Sequence, residues 1–446
     1  MASDLLSIAR SGARVARTAL DVTANNIANA KTDGYVRRSV SVAEVVGGTL
    51  NATPTGINLA GARITGIVRN ADVFRQSEVR RTGSDAARAS AEVAGLESVQ
   101  TAIEQTGVYD SVVAFEGSLK QLVSDPTDGS LRAQVIEDGR TMAQTFNTAA
   151  QNLDAAGKGL RFEARDGVDT VNRLAGEIAK VNLRLMRSGG DASGDQSTLL
   201  DQRDALLQQL SDHADITTTI NADKSVSVTL GGPTGTSLVS GAAAKTLSMA
   251  SAANGTVSFS VNSQAVTLSS GAIAGKAQAL VELAGARTQL DTIAGGIVSA
   301  INTAQTGGVD LQGSPGQALF SGTGAADIAM VASKGTAIAT APAGAAAGSR
   351  DMTNLTAMRS ALETADPSGA VDTLLFGVSS AVAGRTITRD ALAAISGSAQ
   401  SALSAQAGVN LDDEAVNLVR FQQAYQASAR VMQVASDIFD SILSIR

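Results

Sequence analysis

Between Asp4 and Asn29, apolar or small residues recur at steps of three and four: Leu5, Ile8, Gly12, Val15, Ala19 and Val22, with Asn26 and Asn29 continuing the spacing. This is the seam of a helix that packs against other helices. Leu6, Ala13, Leu20 and Ile27, each seven apart, widen it, while Asp4, Ser7, Arg10, Arg14, Arg17, Asp21 and Asn25 take the opposite face. The apolar or small face covers about half of the circumference, more than one neighbour needs. Lys31-Thr32-Asp33-Gly34 ends the helix, because Asp turns the backbone readily and Gly accepts the left-handed conformation. Tyr35 then opens an extended segment, "YVRRSVSVAEVV", with period-two alternation.

Residues 72 to 124 and 131 to 187 carry two long helical patterns parted by the breaker "DPTDGS" at 125 to 130. In the second, Phe146, Ala150, Leu153, Gly157, Leu160, Ala164, Gly167, Val171, Leu174, Ile178, Val181 and Leu185 hold the four-three rhythm. At ~1.5 Å per residue this stretch makes a rod of roughly 60 Å. Gly157, Gly159 and Gly167 lower its helix propensity, so 157 to 167 is the expected place for any break. After "SGGDASGD" a shorter helix follows, "STLLDQRDALLQQLSDH". From Ile216 to Leu268 the texture alternates in "ITTTI", "SVSVTL", "TVSFSV" and "AVTL", with turn residues between, which predicts a small antiparallel β domain. Helix returns over 276 to 305. Next come a turn-rich stretch, a mixed segment and the low-complexity "AIATAPAGAAAGS" at 337 to 349, expected to be a flexible or exposed loop.

The last helix has a clean start. Asn410 is a candidate N-cap, and Asp412, Asp413 and Glu414 fill the first turn, where negative charge favours the helix dipole. Leu411, Leu418, Phe421, Tyr425, Met432, Ala435, Phe439 and Ile442 follow the heptad rhythm, and Val431, Val434, Ile438 and Ile445 broaden the stripe.

Both chain ends are therefore amphipathic helices, with the β texture between them. The pattern predicts a mainly α fold with a small β domain: a long antiparallel helical rod or coiled coil from the paired N- and C-terminal segments, folded back with the β domain at the distal end. The expected units are a terminal helical domain (1–60 with 405–446), a helical rod domain with irregular segments (61–212 with 273–404) and an outward-facing β domain (213–272). A lone helix of the first segment's length gains less by burying its seven large aliphatic side chains than its ordering costs. Both termini are thus expected to be largely unfolded in a free subunit and to order when neighbouring copies cover them.

Composition narrows the function. The 446 residues include no Cys and no Trp, and only nine Phe and three Tyr, so disulfide and thiolate chemistry are ruled out. The net charge of −7 and the lack of a basic block argue against nucleic-acid binding. No apolar window reaches the ~18 to 20 residues of a membrane span. Charges at Asp4, Arg10, Arg14 and Arg17 interrupt the apolar core that a cleaved secretory signal needs, so any exit from the cell is expected by another route.

Candidate chemistry is sparse. His213 is the sole histidine, which excludes any two-histidine metal centre; in "LSDHADI" it reads as a solvated loop residue rather than a triad base. Asp201, Asp204 and Asp212 read as helix capping and a salt bridge with Arg203. "GGPTG" at 231 to 235 lacks the Lys-Ser/Thr of a phosphate loop and reads as a hairpin turn. Arg37 and Arg38 are expected to face solvent or an acidic neighbour, and Met432 and Phe439 to pack rather than bind a ligand. No catalytic, cofactor or metal residues are assigned, and an enzyme is not expected.

"NNIANAKTDGY" at 25 to 35 resembles the N-terminal signature of the axial proteins of the bacterial flagellum, and "GVNLDDEAVNLVRFQQAYQASARVMQVASDIFDSIL" at 408 to 443 resembles their C-terminal signature. Within that group, "RFQQAYQASARV", "LLDQRDALLQQLSDHADI" and "LDTIAGGIVSAINTAQTGGVDLQG" are most similar to the hook-associated protein 1 (FlgK) family. The resemblance implies a non-enzymatic subunit of the hook-filament junction, whose paired terminal helices form an inner tube. The implied partners are other copies of itself, hook protein, a second junction protein and through it flagellin, and an export chaperone. The implied location is extracellular, on the flagellum, after type III export. The implied assembly residues are Leu5, Ile8, Val15, Val22, Asn26, Asn29, Gly34, Tyr35, Asn410, Leu411, Leu418, Phe421, Tyr425, Met432, Phe439 and Ile442. Larger relatives carry a β-rich insertion after "GVDLQG"; here a short run of small residues replaces it. Hook or distal-rod proteins share the end signatures and are the alternative, with a secreted helical binding protein behind them.

Overall fold

The computed structural model describes residues 2–32, 34–47, 58–188 and 194–444. Its first helix, α1 (Ala2–Ala28), is followed by an antiparallel hairpin of β1 (Arg38–Gly47) and β2 (Asn58–Arg69). Four helices come next: α2 (Val73–Glu104), α3 (Val108–Leu122), α4 (Gly129–Arg187) and α5 (Gly194–His213). The helical patterns begin where caps allow. Asp72 Oδ1 accepts from the amides of Phe74 and Arg75 at the start of α2, and Asp128, inside the predicted breaker, does the same for Ser130 and Leu131 at the start of α4.

The single helix expected over 72 to 124 is two. Gly107 adopts φ +68°, a left-handed conformation that ends α2 and redirects the chain into α3. The glycines at 157 to 167 do not break the helix: α4 runs 59 residues, ~88 Å, without interruption. Its glycines serve packing instead. A β-carbon at Gly167 would lie 2.8 Å from Ile273 Cγ1, so the bare backbone lets the next long helix approach. All twelve rhythm positions from Phe146 to Leu185 are buried.

The β unit contains two small antiparallel sheets. The first holds β3 (Ile216–Ile220), β4 (Val226–Leu230), β5 (Thr236–Ser240) and β6 (Ala243–Ala244); the second holds β7 (Leu247–Ser251), β8 (Val257–Val261) and β9 (Gln264–Val266). "GGPTG" joins β4 to β5. The Ser- and Ala-rich strands β5 to β7 have too little apolar alternation to be read from sequence. Both sheets pack against the second half of α4, Val168 to Leu185, together with α5. The β unit therefore flanks the long helix, and the end of α4 farthest from the chain termini is closed by α3 and by residues 308 to 342.

Helix α6 (Ala272–Thr306) leads into that segment, and α7 (Thr353–Ala365), α8 (Pro367–Ala407) and α9 (Leu411–Ser444) complete the chain. The mainly helical class with a small β unit is what the structure shows. The larger core joins α2, α3, the first half of α4, α6, α7 and the start of α8. Phe115 and Phe320 meet edge to face there at 5.5 Å.

The loop expected at 337 to 349 is exposed only after Pro342; Ile338, Ala339, Thr340 and Ala341 are buried. Their small side chains admit three polar ones from the helices. Arg132, 1% exposed, donates to the carbonyls of Pro126, Gly335 and Ile338 and to Thr340 Oγ1. Gln305 donates to the Ala337 carbonyl and accepts from the Ala339 amide, while Asn354 donates to the Ala339 carbonyl. Backbone groups buried without such partners would oppose folding, so these three side chains are what hold an otherwise featureless segment inside.

Candidate assembly interface

Helix α1 lies between α9 and the β1–β2 hairpin. Its buried side is built from small residues, Ala9, Ala13, Ala16 and Ala19, with Val22, Thr23 and Asn26. Gly12 sits where α9 passes closest, a β-carbon there being 3.0 Å from Ser428 Oγ. On the hairpin side Ser11 Oγ accepts from the Ala62 amide at 3.1 Å. Ile8 and Val15 are half-buried, and Leu5 is exposed. The outward face, with Arg10, Arg14, Arg17, Asp21 and Asn25, is polar. The second neighbour expected for this helix is thus its own hairpin, whose β2 strand the sequence reading did not contain.

The phrase after α1 works as a register lock. Asn26, 1% exposed, pairs with the backbone of Arg38 as a strand would: its Nδ2 donates to the Arg38 carbonyl at 2.9 Å and its Oδ1 accepts from the Arg38 amide at 3.0 Å. Tyr35 Oη donates to the same Oδ1 at 2.8 Å, and the Arg38 guanidinium stands 5.1 Å from the Tyr35 ring centre. Burial raises the Tyr35 pKa above its ordinary value, partly opposed by Arg38, so the hydroxyl stays a donor. Gly34 supplies φ +76°, and Asn29 Nδ2 donates to the Asn25 carbonyl. Asp33 lies outside the described residues.

Arg37 and Arg38 both find acidic neighbours. Arg37 Nε is 2.6 Å from Glu414 Oε1 in the first turn of α9, and its amide donates to the Ala407 carbonyl at the end of α8. Arg38 reaches Asp201 on α5 at 2.8 Å, while Arg69 of β2 reaches Asp201 at 2.7 Å and Asp204 at 2.9 Å. Asp204 also pairs with Arg203 at 2.7 Å and accepts from Gln76 of α2 at 3.2 Å. Nearby, Arg75 donates to Gln406, which donates to Asp72. Such buried pairs add little net stability, but stranding one partner is expensive, so they dictate one orientation of the terminal helices on the rod. The "LLDQRD" phrase supplies three of these charges.

His213 is not a solvated loop residue: it ends α5, half-buried beside α4, and burial lowers its pKa below 6.5 despite nearby Asp212. Asp212 accepts from Gln208 and takes no part in the ion pairs around Asp201 and Asp204. No cluster of three or more metal-ligating groups occurs among the described residues. No helix among them is long and apolar enough to cross a membrane.

Asn410 caps α9, its Oδ1 accepting from the Asp412 amide and its carbonyl from the Glu414 amide, both at 3.0 Å. One face of α9 is covered: Glu414 and Ala435 are buried, and Leu418, Phe421, Ser428 and Met432 half-buried. Leu411, Tyr425 and Phe439 are exposed, and the side chain of Ile442 lies outside the described residues. A second face carries Ala424, Ala427, Val431, Val434 and Ile438, again at steps of three and four, and every one of them is exposed. At ~100° per residue this stripe lies roughly a third of a turn from the covered one. An apolar stripe of this regularity differs from the scattered exposed aliphatics of an ordinary surface.

Three family models match the chain. "Flagellar hook-associated protein FlgK helical domain" covers residues 93–320, "Flagella basal body rod protein" covers 6–35, and "Flagellar basal body rod FlgEFG protein C-terminal" covers 399–445. Among similar proteins, flagellar hook-associated protein 1 of Bacillus subtilis is 25% identical over 501 positions, covering 98% of this chain and 97% of that protein. Flagellar hook-associated protein 1 of Escherichia coli is 24% identical over 554 positions, spanning all of both chains. The excess of those positions over 446 residues is sequence that the Escherichia coli protein has and this chain lacks. Among solved structures, the flagellar hook junction protein FlgK from Burkholderia pseudomallei overlays with TM-score 0.49 and 22% identity, over 55% of this chain and 46% of that one.

Proposed function

This chain belongs to the flagellar hook-associated protein FlgK family, a structural component of the bacterial flagellum, and on that premise we propose that it is a subunit of the hook-filament junction that assembles with its own copies through α9. The observation that carries the proposal is the exposed stripe Ala424, Ala427, Val431, Val434 and Ile438, a heptad seam that no helix covers among the described residues. Of the residues expected at the assembly interface, Asn26, Gly34, Tyr35 and Asn410 shape the terminal pair from within on this reading, whereas the outer stripe of α9 that meets the neighbour consists of residues outside that expected set.

The three-part division of the chain goes with this proposal, with the β1–β2 hairpin moving as part of the terminal unit because it packs on α1. Order in the free subunit is expected to be uneven: α1 is covered on two sides, and α9 on one. Export without a cleaved signal, a chaperone for the C-terminal region, and contacts to hook protein, a second junction protein and flagellin follow from family membership rather than from any residue geometry here.

A strain lacking this chain tests the role. Retained hooks, with filament subunits shed into the medium, support the junction; missing hooks would assign the chain to the hook or distal rod, whose family models match its two ends.

A further inference from the structure

Helix α8 lies along α2, yet little of it is buried. Of its 41 residues, only Pro367, Val371 and Leu374 at the start and Ala407 at the end are buried. Val371 and Leu374 belong to the larger core, against which Leu375 and Val378 pack, and neither core contains a residue of α8 beyond that point. From there on the covered face holds Val382, Thr386, Leu392, Ser396, Ala399 and Leu403, all half-buried and half of them small or polar. Gly377, Gly384 and Gly397 lower the helix propensity of the stretch, and a β-carbon at any of them would meet nothing within 4 Å, so packing does not require them.

Side-chain links fasten α8 instead, and each acidic partner on α2 has a second bond within α2. Arg385 pairs with Glu92 at 2.9 Å, and Glu92 also accepts from Arg88, one turn earlier, at 2.9 Å. Ser379 donates to Glu104 at 3.2 Å, and Glu104 accepts from Gln100 at 2.8 Å as well. Gln406 donates to Asp72 Oδ2, while Oδ1 of the same residue caps α2. Lifting α8 away therefore strands no carboxylate, although Glu92 is 2% exposed. The links themselves are weak: Arg385 is 46% exposed, and ion pairs so placed contribute little.

We infer that α8 from Ser379 to Gln406 is a strap that opens from the rod in the free subunit as one unit with α9, and is held shut when a neighbouring copy covers α9. Its pivot is the last stretch in contact with the core, Leu374 to Val378, which contains Gly377. Helix α9 moves with it because only Gly408 to Asn410 separate the two helices and α9 is covered on one face alone. An element held by few apolar contacts is the kind that opens locally ahead of the rest. Closing returns Glu414 to Arg37, so assembly at α9 and the joint at Arg37 are completed together. Closure rests on the self-assembly reading above; opening does not. The labile end of the chain thereby reaches back to 379, into the unit that the sequence pattern assigns to the rod.

Hydrogen exchange of the full chain tests both halves. In the free subunit, amides of 379–406 and 411–440 should share one protection level, about a hundredfold below that of 135–178 in α4. Protection of 379–406 equal to that of α4 overturns the strap. The chain has no cysteine, so a designed disulfide can lock it. A β-carbon at Gly83 of α2 would stand 3.9 Å from Ser396 Oγ, close enough for Gly83→Cys with Ser396→Cys to bond. Oxidising that variant should slow exchange over 379–406 about tenfold in the free subunit and carry the slowing into 411–418; identical exchange in the reduced and oxidised forms overturns the opening. In isolated flagella 379–406 should also slow about tenfold. Thiol labelling of a separate Val434→Cys variant in flagella keeps the two readings apart. A shielded thiol with 379–406 exchanging as in the free subunit overturns the closure, whereas an unshielded thiol removes the α9 seam and leaves the opening to the free-subunit result.

Discussion

Replacing Arg132 by alanine removes the donor for three carbonyls and one hydroxyl, those of Pro126, Gly335, Ile338 and Thr340, at a site where the side chain is 1% exposed. A buried polar group left without a partner costs about 1–3 kcal/mol. Even if half of the four find new partners as the segment relaxes, the loss is on the order of 4 kcal/mol, with a further cost for the cavity. That is a large share of the 5–15 kcal/mol that stabilises a typical domain. Arg132→Lys should recover only part of it, because a single ammonium cannot reproduce the planar fork that spans Pro126 on one side and Ile338 on the other. Urea unfolding of the full chain measures the loss, and hydrogen exchange locates it: amides from 335 to 341 should lose protection first. A loss under about 1 kcal/mol, or unchanged protection at 335 to 341, would refute the view that this guanidinium holds the segment inside.

Other substitutions probe the joint and the long helix. Glu414→Gln replaces the ion pair with a weaker hydrogen bond from the charged Arg37 to a neutral amide oxygen and should raise exchange at the start of α9 while leaving the larger core unaffected; an unchanged exchange pattern at 411 to 418 would show that the pair is idle. Gly167→Ala is expected to destabilise, since overpacking against Ile273 costs about 1–3 kcal/mol, whereas Gly159→Ala, with nothing within 4 Å, should stabilise by about 0.5–1 kcal/mol through helix propensity. Equal and favourable shifts in melting temperature at both sites would contradict the packing role of Gly167. The pKa of His213 is lower folded than unfolded, so the unfolded chain takes up the proton first and stability falls as pH drops from about 6.5 through the folded value; His213→Gln should flatten that decline in a melting series, and an identical profile would dismiss it.

How far local spacing could be read depends on where each partner lies. The rhythm from Phe146 to Leu185 located the buried face of α4 correctly at every position, because an amphipathic helix records its environment in its own period. The same rhythm located α1 but not its covering. Its partners include β2, where Gly61 and Gly66 interrupt the apolar alternation and pairing with β1 shifts register twice. The pairing of Arg37 with Glu414 spans 377 positions and leaves no local trace of the partner. One signal was nevertheless present: Glu414 sits in step with Leu418, Phe421 and Tyr425, and Arg132 in step with Ile136, Gly139, Ala143 and Phe146. A charge at a core position of a heptad announces a buried partner, even though its identity must come from the fold.

The outer stripe of α9 is the centre of the proposed assembly, and thiol accessibility at Val434 tests it most directly. In the free subunit a Val434→Cys side chain, replacing one that is 54% exposed, should react rapidly with a maleimide. In intact flagella it should be shielded at least tenfold, while Arg14→Cys on the polar face of α1 serves as the comparison. Equal labelling of Val434→Cys in the free and assembled states would contradict the claim that another copy covers this stripe.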